Sequence, residues 1–177
     1  MNHDSLPDTP AREFYTAQEL ADLALEWGDC VTLNDDDGAV TIQLDRPDSI
    51  MCLDLGPASQ FYTDVLCRTV IFVPSAPHRF CDLWNEFPYY GAFSVVYGEN
   101  DFPHRSEAGF AVRAVKVVEF EACRRQHDIF IGIMTFWYAI DLIQNGVING
   151  ETDFRQLKAS HEEGGFTRWL LGSDDPA

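Results

Sequence analysis

The chain has 177 residues, 46% of them hydrophobic, which is enough for a single domain with a sizeable core. Twelve Lys and Arg stand against 29 Asp and Glu, so the formal net charge is −17. This charge repels phosphate backbones and anionic lipid headgroups, so we expect no nucleic acid or membrane partner and favour a protein partner with a basic face.

The cysteines and the most apolar segment indicate a soluble cytoplasmic protein. Five Cys are scattered along the chain without a CxxC motif, as is typical of reduced thiols. The N-terminus "MNHDSLPDTPARE" lacks the pattern of a secretory signal. The segment "IFIGIMTFWYAI" has only twelve residues between Asp128 and Asp141, whereas a membrane-spanning helix needs about 20.

The first predicted element is a capped helix after a flexible N-terminus at residues 1–14. Thr16 precedes Glu19 by three residues, which is the spacing of a capping box. Apolar residues then follow at helical spacing, and Gly28 is expected to end the helix.

Alternating segments on both sides of Asp37-Gly38 predict a hairpin, because this dipeptide favours a tight turn. The "DDDG" run superficially suggests a calcium loop, but Arg46 stands where such a loop places a bidentate Glu, so we interpret it as a turn. "IMCLDLG" and "FYTDVLCRTVIFV" predict further strands. Residues 39–73 therefore hold material for an extra strand or an extended hairpin.

The stretch "HRFCDLWNEFPYYGAFSVV" predicts a second helix that opens near Pro77 and then turns into a strand. Trp84 completes its apolar stripe and should be buried. Asn85 tolerates the left-handed conformation that closes a helix, and Pro88 forces Phe87 out of it. We interpret Trp84 and Asn85 as a structural pair in preference to a binding site.

After two more strands, a long helix is predicted from about Phe120 to Asn145-Gly146. Its second half is apolar nearly all round, so one side can cover the sheet and the other needs a different cover. This second side is our candidate binding or dimer interface, and it carries Phe130, Met134 and Trp137. We predict that a homodimer covers it; the alternative cover is the tail within residues 147–177, a predicted extension with a short helix and an acidic end.

The motifs give no support for catalysis or for a metal site. Cys81 follows His78 by three residues, but a reactive thiolate would also need exposure and an orienting group. "SHEEGG" lacks the second His of a zinc hydrolase motif, and no GxSxG, P-loop or GxGxxG occurs. We therefore expect no enzyme activity, no cofactor and no metal.

The segment "LWNEFPYYGAFSVV", followed by a polar turn, a strand and a long aromatic helix, resembles the YbjN-like proteins over about Tyr15 to Asn145. The resemblance implies a domain at 15–146 with the fold of class I type III secretion chaperones, in the order α-β-β-β-α-β-β-α, often dimeric. It implies no catalysis, and members are described as sensory, regulatory or chaperone-like. Where many members have a Gly-containing turn, this chain has "EFEACRRQHD", which leaves the start of the last helix open.

These observations predict an α+β domain with an antiparallel sheet of at least five strands and helices packed on it. The expected function is non-enzymatic protein binding, as a chaperone-like or regulatory adaptor. The alternative is a binder of a small apolar ligand in a pocket between the sheet and the last helix; an enzyme comes third. Protein binding predicts an exposed apolar groove or sheet face, and ligand binding predicts an enclosed cavity with a few polar groups.

Overall fold

A computed structural model describes residues 9–27, 30–36, 38–46, 49–144, 155, 156 and 159. The helices are α1 (Ala17–Trp27), α2 (Pro77–Asn85) and α3 (Gln126–Gln144). The strands are β1 (Cys30–Asp36), β2 (Ala39–Arg46), β3 (Ser49–Pro57), β4 (Asp64–Val73), β5 (Ala92–Val95), β6 (Arg105–Ser106) and β7 (Gly109–Glu119). Short 3-10 turns cover Pro88–Tyr90 and Phe120–Ala122.

The strands form one antiparallel sheet in the order β1-β2-β3-β4-β7-β5, with β6 paired to β7. This confirms the predicted α+β class. The first hairpin is also confirmed, because Asp36 pairs with Ala39 across a two-residue turn in which Gly38 has a φ of 75°. Gly28 and Asp37 lie outside the described residues.

The number of strands implied by the resemblance, before and after α2, is wrong. In the part of the chain that the structure describes, four strands precede α2 and three follow it, where the resemblance implies three and two. Residues 39–73 supply three strands, because Arg46 pairs with Ser49 and so only residues 47 and 48 connect β2 to β3. So short a connection makes a second tight hairpin, and β4 then pairs with β3 as a separate strand.

The described residues of the predicted domain group into two compact units. The first, here called the hairpin unit, comprises residues 9–68 and 115–133, and the second, the α2 unit, comprises mainly 69–114 and 134–144. The strands β4 and β7 and the helix α3 contribute residues to both.

In the hairpin unit, α1 packs against β1 and β2 and begins with the predicted capping box. The Thr16 hydroxyl accepts a hydrogen bond from the Glu19 N–H at 3.2 Å, and the Thr16 N–H donates to the Glu19 carboxylate at 2.8 Å. The backbone bond from Thr16 and the ion pair with Arg12 lower the pKa of Glu19 to about 2. The sequence thus predicts the start of this helix correctly.

Part of the predicted flexible N-terminus is held by backbone hydrogen bonds. The Ala11 N–H donates to the Arg124 carbonyl and the Gln126 N–H to the Thr9 carbonyl, both at 3.0 Å. Pro10 forms an isolated bridge with Arg125 between these bonds. Residues 1–8 lie outside the described part of the chain.

The last helix begins six residues later than predicted, at Gln126 instead of Phe120. The Phe120 N–H donates to the Thr63 carbonyl at 3.0 Å, which holds the chain beside β4. The Asp128 carboxylate then accepts from the N–H groups of Arg124 and Arg125, at 3.0 and 2.9 Å, and satisfies donors at the helix start. Asn145 and Gly146, the predicted end, lie outside the described residues.

Candidate protein-binding surfaces

Trp84 lies in the core of the α2 unit, as predicted. Its side chain is 1% exposed, and its ring packs against Tyr90 and Phe93 with centroids 5.4 and 5.3 Å away. Phe80, one turn earlier on the same helix, adds a third ring at 6.1 Å. Offset and edge-on aromatic contacts of this kind stabilise a core beyond simple burial. The structural interpretation of Trp84 is therefore confirmed.

Asn85 is the last residue of α2, as predicted, but the predicted left-handed cap is wrong. Only Ala76 and Asp101 have positive φ among the described non-glycine residues. The Asn85 amide instead bonds both backbone groups of Phe93: Nδ2 donates to the carbonyl at 2.9 Å, and Oδ1 accepts from the N–H at 2.8 Å.

The Asn85 amide makes the hydrogen bonds that a neighbouring strand would otherwise make with β5. β5 stands last in the strand order, so the backbone groups on its outer side have no strand of the described residues to pair with. Phe93 presents one N–H and one C=O there, and the Asn85 amide satisfies both. Unpaired edges of this kind invite association with other chains, so Asn85 also protects the edge.

The candidate interface on α3 is not an exposed face. Phe130 and Met134 are 1% and 0% exposed, so the single chain already buries both side chains. A helix that is apolar all round needs cover on every side, and in this protein both residues find it without a second copy. Trp137 is partly exposed, but its indole N–H is buried and has no acceptor within the described part of the chain.

The two buried thiols, Cys67 and Cys81, do not resemble nucleophiles. Burial raises the pKa of Cys81 to about 11, and its candidate partner His78 has its ring 6.1 Å from that of Tyr97. Burial also raises the pKa of Cys67 to about 12 and lowers that of the nearby Lys116 to about 8. Both thiols are therefore protonated at neutral pH, whereas nucleophilic attack needs the thiolate.

Neither a metal-binding cluster nor a membrane-spanning helix occurs in the described part of the chain. Its His, Cys, Asp and Glu side chains form no group of three that could hold a metal ion. None of the three described helices is both long and apolar enough to cross a bilayer.

Two exposed apolar features occur in the α2 unit, and the first is the outer face of β4. Val70 and Phe72 are 49% and 44% exposed, and they alternate with Ile71 and Val73, which are buried. The strand "DVLCRTVIFV" is polar only at Asp64, Arg68 and Thr69, and its last four residues are apolar on both faces. One face of this strand therefore carries apolar side chains that the described chain leaves exposed.

The second feature is the connection from β5 to β6, residues 97–104, which we call the aromatic loop. Phe102 is 73% exposed and Tyr97 52%. The Gly98 N–H donates to the Phe102 carbonyl at 2.9 Å and the His104 N–H to the Val96 carbonyl at 2.7 Å, so the loop has a defined backbone.

The sequence interpretation passed over both features, although each had a signal. The alternation in β4 could have shown that Val70 and Phe72 share one face, but not that this face is exposed. In "YGENDFPH" an aromatic residue follows Gly, Asn and Asp in a turn with neither helical nor strand period, so no element was available to bury Phe102.

No protein-family model matches the chain, and no curated protein matches it either. The resemblance to YbjN-like proteins therefore receives no support from these comparisons.

Proposed function

We propose that this protein is a non-enzymatic protein-binding domain that acts as a chaperone-like or regulatory adaptor. The observation that carries the proposal is the exposed apolar face of β4 with Val70 and Phe72. β4 lies between β3 and β7, so these side chains stand inside the sheet and not at its free edge. A sheet face is the kind of surface that client binding predicts.

Hydrophobic burial is the physical reason to expect a partner on this face. Each Å² of apolar surface removed from water contributes about 25 cal/mol, so an exposed Val and Phe side by side on one strand favour a cover. The strand holds both side chains in place through its backbone pairing, which reduces the entropy lost on binding. A docked protein gains from both effects.

The net charge and the thiols narrow the class of partner and the compartment. A charge of −17 repels acidic proteins and attracts proteins with a basic face, mainly through the rate of encounter. Cys67, Cys81 and Cys123 are free thiols, which suits a reducing compartment. We therefore propose a basic protein partner in the cytoplasm.

A paired-variant binding experiment tests the proposal. The full chain is compared with a Val70→Thr and Phe72→Ser double variant and with Phe14→Ser, a control in the hairpin unit that is also about half exposed. Proteins retained by each form from native cytoplasm are identified by mass spectrometry, purified, and titrated by calorimetry. Circular dichroism checks that every form is folded.

We expect the double variant to bind a purified partner at least about tenfold more weakly, a loss of about 1.4 kcal/mol, while Phe14→Ser binds normally. Equal affinity for all three forms would remove the β4 face from the proposal. Light scattering tests the predicted homodimer. If the full chain has a mass of twice 20.0 kDa and the double variant a mass of 20.0 kDa, the protein bound to this face is a second copy of the chain.

One observation favours the second candidate, a small apolar ligand bound beside α3. The buried indole N–H of Trp137 lacks an acceptor within the described part of the chain, and an unpaired buried donor is costly unless something binds it. Native mass spectrometry of the purified protein tests this. A bound small molecule that is lost in Trp137→Phe supports the ligand; identical masses with no adduct in either form contradict it.

A further inference from the structure

Phe102, in the aromatic loop, is the most exposed of the large hydrophobic side chains in the described residues, at 73%. Tyr97, at the other end of the loop, is 52% exposed. Aromatic side chains are enriched among the residues that contribute most to binding at protein interfaces. Two of them on one short loop make this loop a candidate contact.

The loop is held in one conformation by its own backbone. The Asp101 N–H donates to the Gly98 carbonyl at 3.2 Å, and the Gly98 N–H donates to the Phe102 carbonyl at 2.9 Å. Tyr97 and Pro103 form an isolated antiparallel bridge that closes the loop. A loop already ordered in the free protein loses little conformational entropy when a partner binds it.

The fold of the loop does not require Phe at position 102. The turn depends on Asp101, whose φ of 57° suits Asp or Asn, and on the backbone groups of Gly98 and Phe102, which any residue supplies. The phenyl ring itself is mostly in water, so it contributes little to stability. Its presence is better explained by a contact outside this chain than by folding.

Charge indicates what kind of surface the ring meets. Glu99 and Asp101 precede Phe102 in the same loop and are both exposed. Neither forms an ion pair with a cation of the described chain. A partner surface with Lys or Arg around an apolar pocket would pair these carboxylates, and the chain's charge of −17 favours the same partner.

We infer that the aromatic loop docks on a partner protein by inserting Phe102 into an apolar pocket whose rim carries Lys or Arg side chains. The inference rests on the proposed protein-binding function and names a second contact for it, separate from the outer face of β4.

Site-specific photocrosslinking provides the first test. The full chain carries p-benzoylphenylalanine at position 102 or, as a control, at position 14, where Phe14 is also exposed. We expect a protein crosslinked from position 102 and absent from position 14, with the crosslink in an apolar site bordered by basic residues. Crosslinks of equal pattern from both positions, or a crosslink to an acidic surface or to a second copy of this chain, would overturn the inference.

Binding measurements with the purified partner provide the second test. Phe102→Ala should weaken the complex at least about tenfold. Glu99→Gln combined with Asp101→Asn removes two charges while Asn still tolerates the positive φ, so the loop keeps its conformation. This pair should weaken binding about three- to tenfold at low salt and reduce the salt dependence of the affinity. Unchanged affinity in Phe102→Ala would overturn the inference.

The two proposals fail in different ways. If the Val70→Thr and Phe72→Ser variant loses the partner and Phe102→Ala keeps it, the loop inference fails and the proposed function stands. If the unmodified protein, with both surfaces intact, retains no partner protein after purification, the proposed function fails and the loop inference fails with it. Loss of binding in Phe102→Ala, with circular dichroism unchanged, supports both.

Discussion

Trp84 and Phe102 belong to the same unit and differ in almost every surrounding contact. Trp84 is 1% exposed and packs against rings from α2, the following 3-10 turn and β5. Phe102 is 73% exposed, and its loop is closed by backbone groups alone. Folding explains the first aromatic residue and leaves the second unexplained. The comparison therefore separates side chains that stabilise the protein from side chains available to a partner.

The largest expected effect tests the buried side of this comparison. Trp84→Ala should lower the free energy of unfolding by about 3–5 kcal/mol, because it removes a large ring from a packed core. Urea denaturation followed by circular dichroism measures the change, with Trp84→Phe as a milder control. A loss below about 1 kcal/mol for Trp84→Ala would place Trp84 outside the core and return it to the list of surface candidates.

The thiol of Cys81 tests whether the buried side of α2 is closed to reagents. Its pKa of about 11 predicts that iodoacetamide at neutral pH modifies it at least about 100-fold more slowly than the thiol of an unstructured cysteine peptide, which corresponds to about 2.7 kcal/mol. Mass spectrometry of peptides at timed intervals gives both rates. Faster modification of Cys81 than of a free thiol would reopen the nucleophile hypothesis.

Asn85 sharpens the comparison with a smaller effect. Asn85→Ala leaves the Phe93 N–H and C=O without the amide, so we expect a loss of about 1–3 kcal/mol in the free energy of unfolding. Asn85→Asp keeps the acceptor and loses the donor. Its free energy of unfolding should therefore lie between those of the unmodified protein and of Asn85→Ala. Light scattering should also show more self-association for Asn85→Ala, because the edge of β5 is exposed. An Asn85→Ala variant with an unchanged free energy of unfolding and unchanged self-association would contradict the edge-protection role.

The smallest expected effect belongs to Phe102. Phe102→Ala should change the free energy of unfolding by less than about 0.5 kcal/mol, since the ring is mostly in water. Phe93→Ala, a buried ring in β5, is the matched control and should cost about 3–5 kcal/mol. If Phe102→Ala costs more than about 1.5 kcal/mol, the ring has a structural role and the loop inference loses its premise.

Several local features could be predicted from the sequence because neighbouring residues decide them. The capping box joins Thr16 to Glu19 through contacts three residues apart, and the Asp37-Gly38 turn depends on the φ preference of its own residues. The burial of Trp84 followed from the apolar period of one short helix. In each case the feature is determined by residues that are close together in the sequence.

The tertiary structure decided the features that depend on distant partners. The Asn85 amide bonds Phe93 across a strand edge that no helical period predicts. The apolar pattern of α3 indicated that Phe130 and Met134 need cover, but only packing decided that both are buried and that Val70 and Phe72 on β4 are exposed. A sequence period assigns a side chain to a face of its helix or strand. What covers that face depends on contacts between residues far apart in the chain.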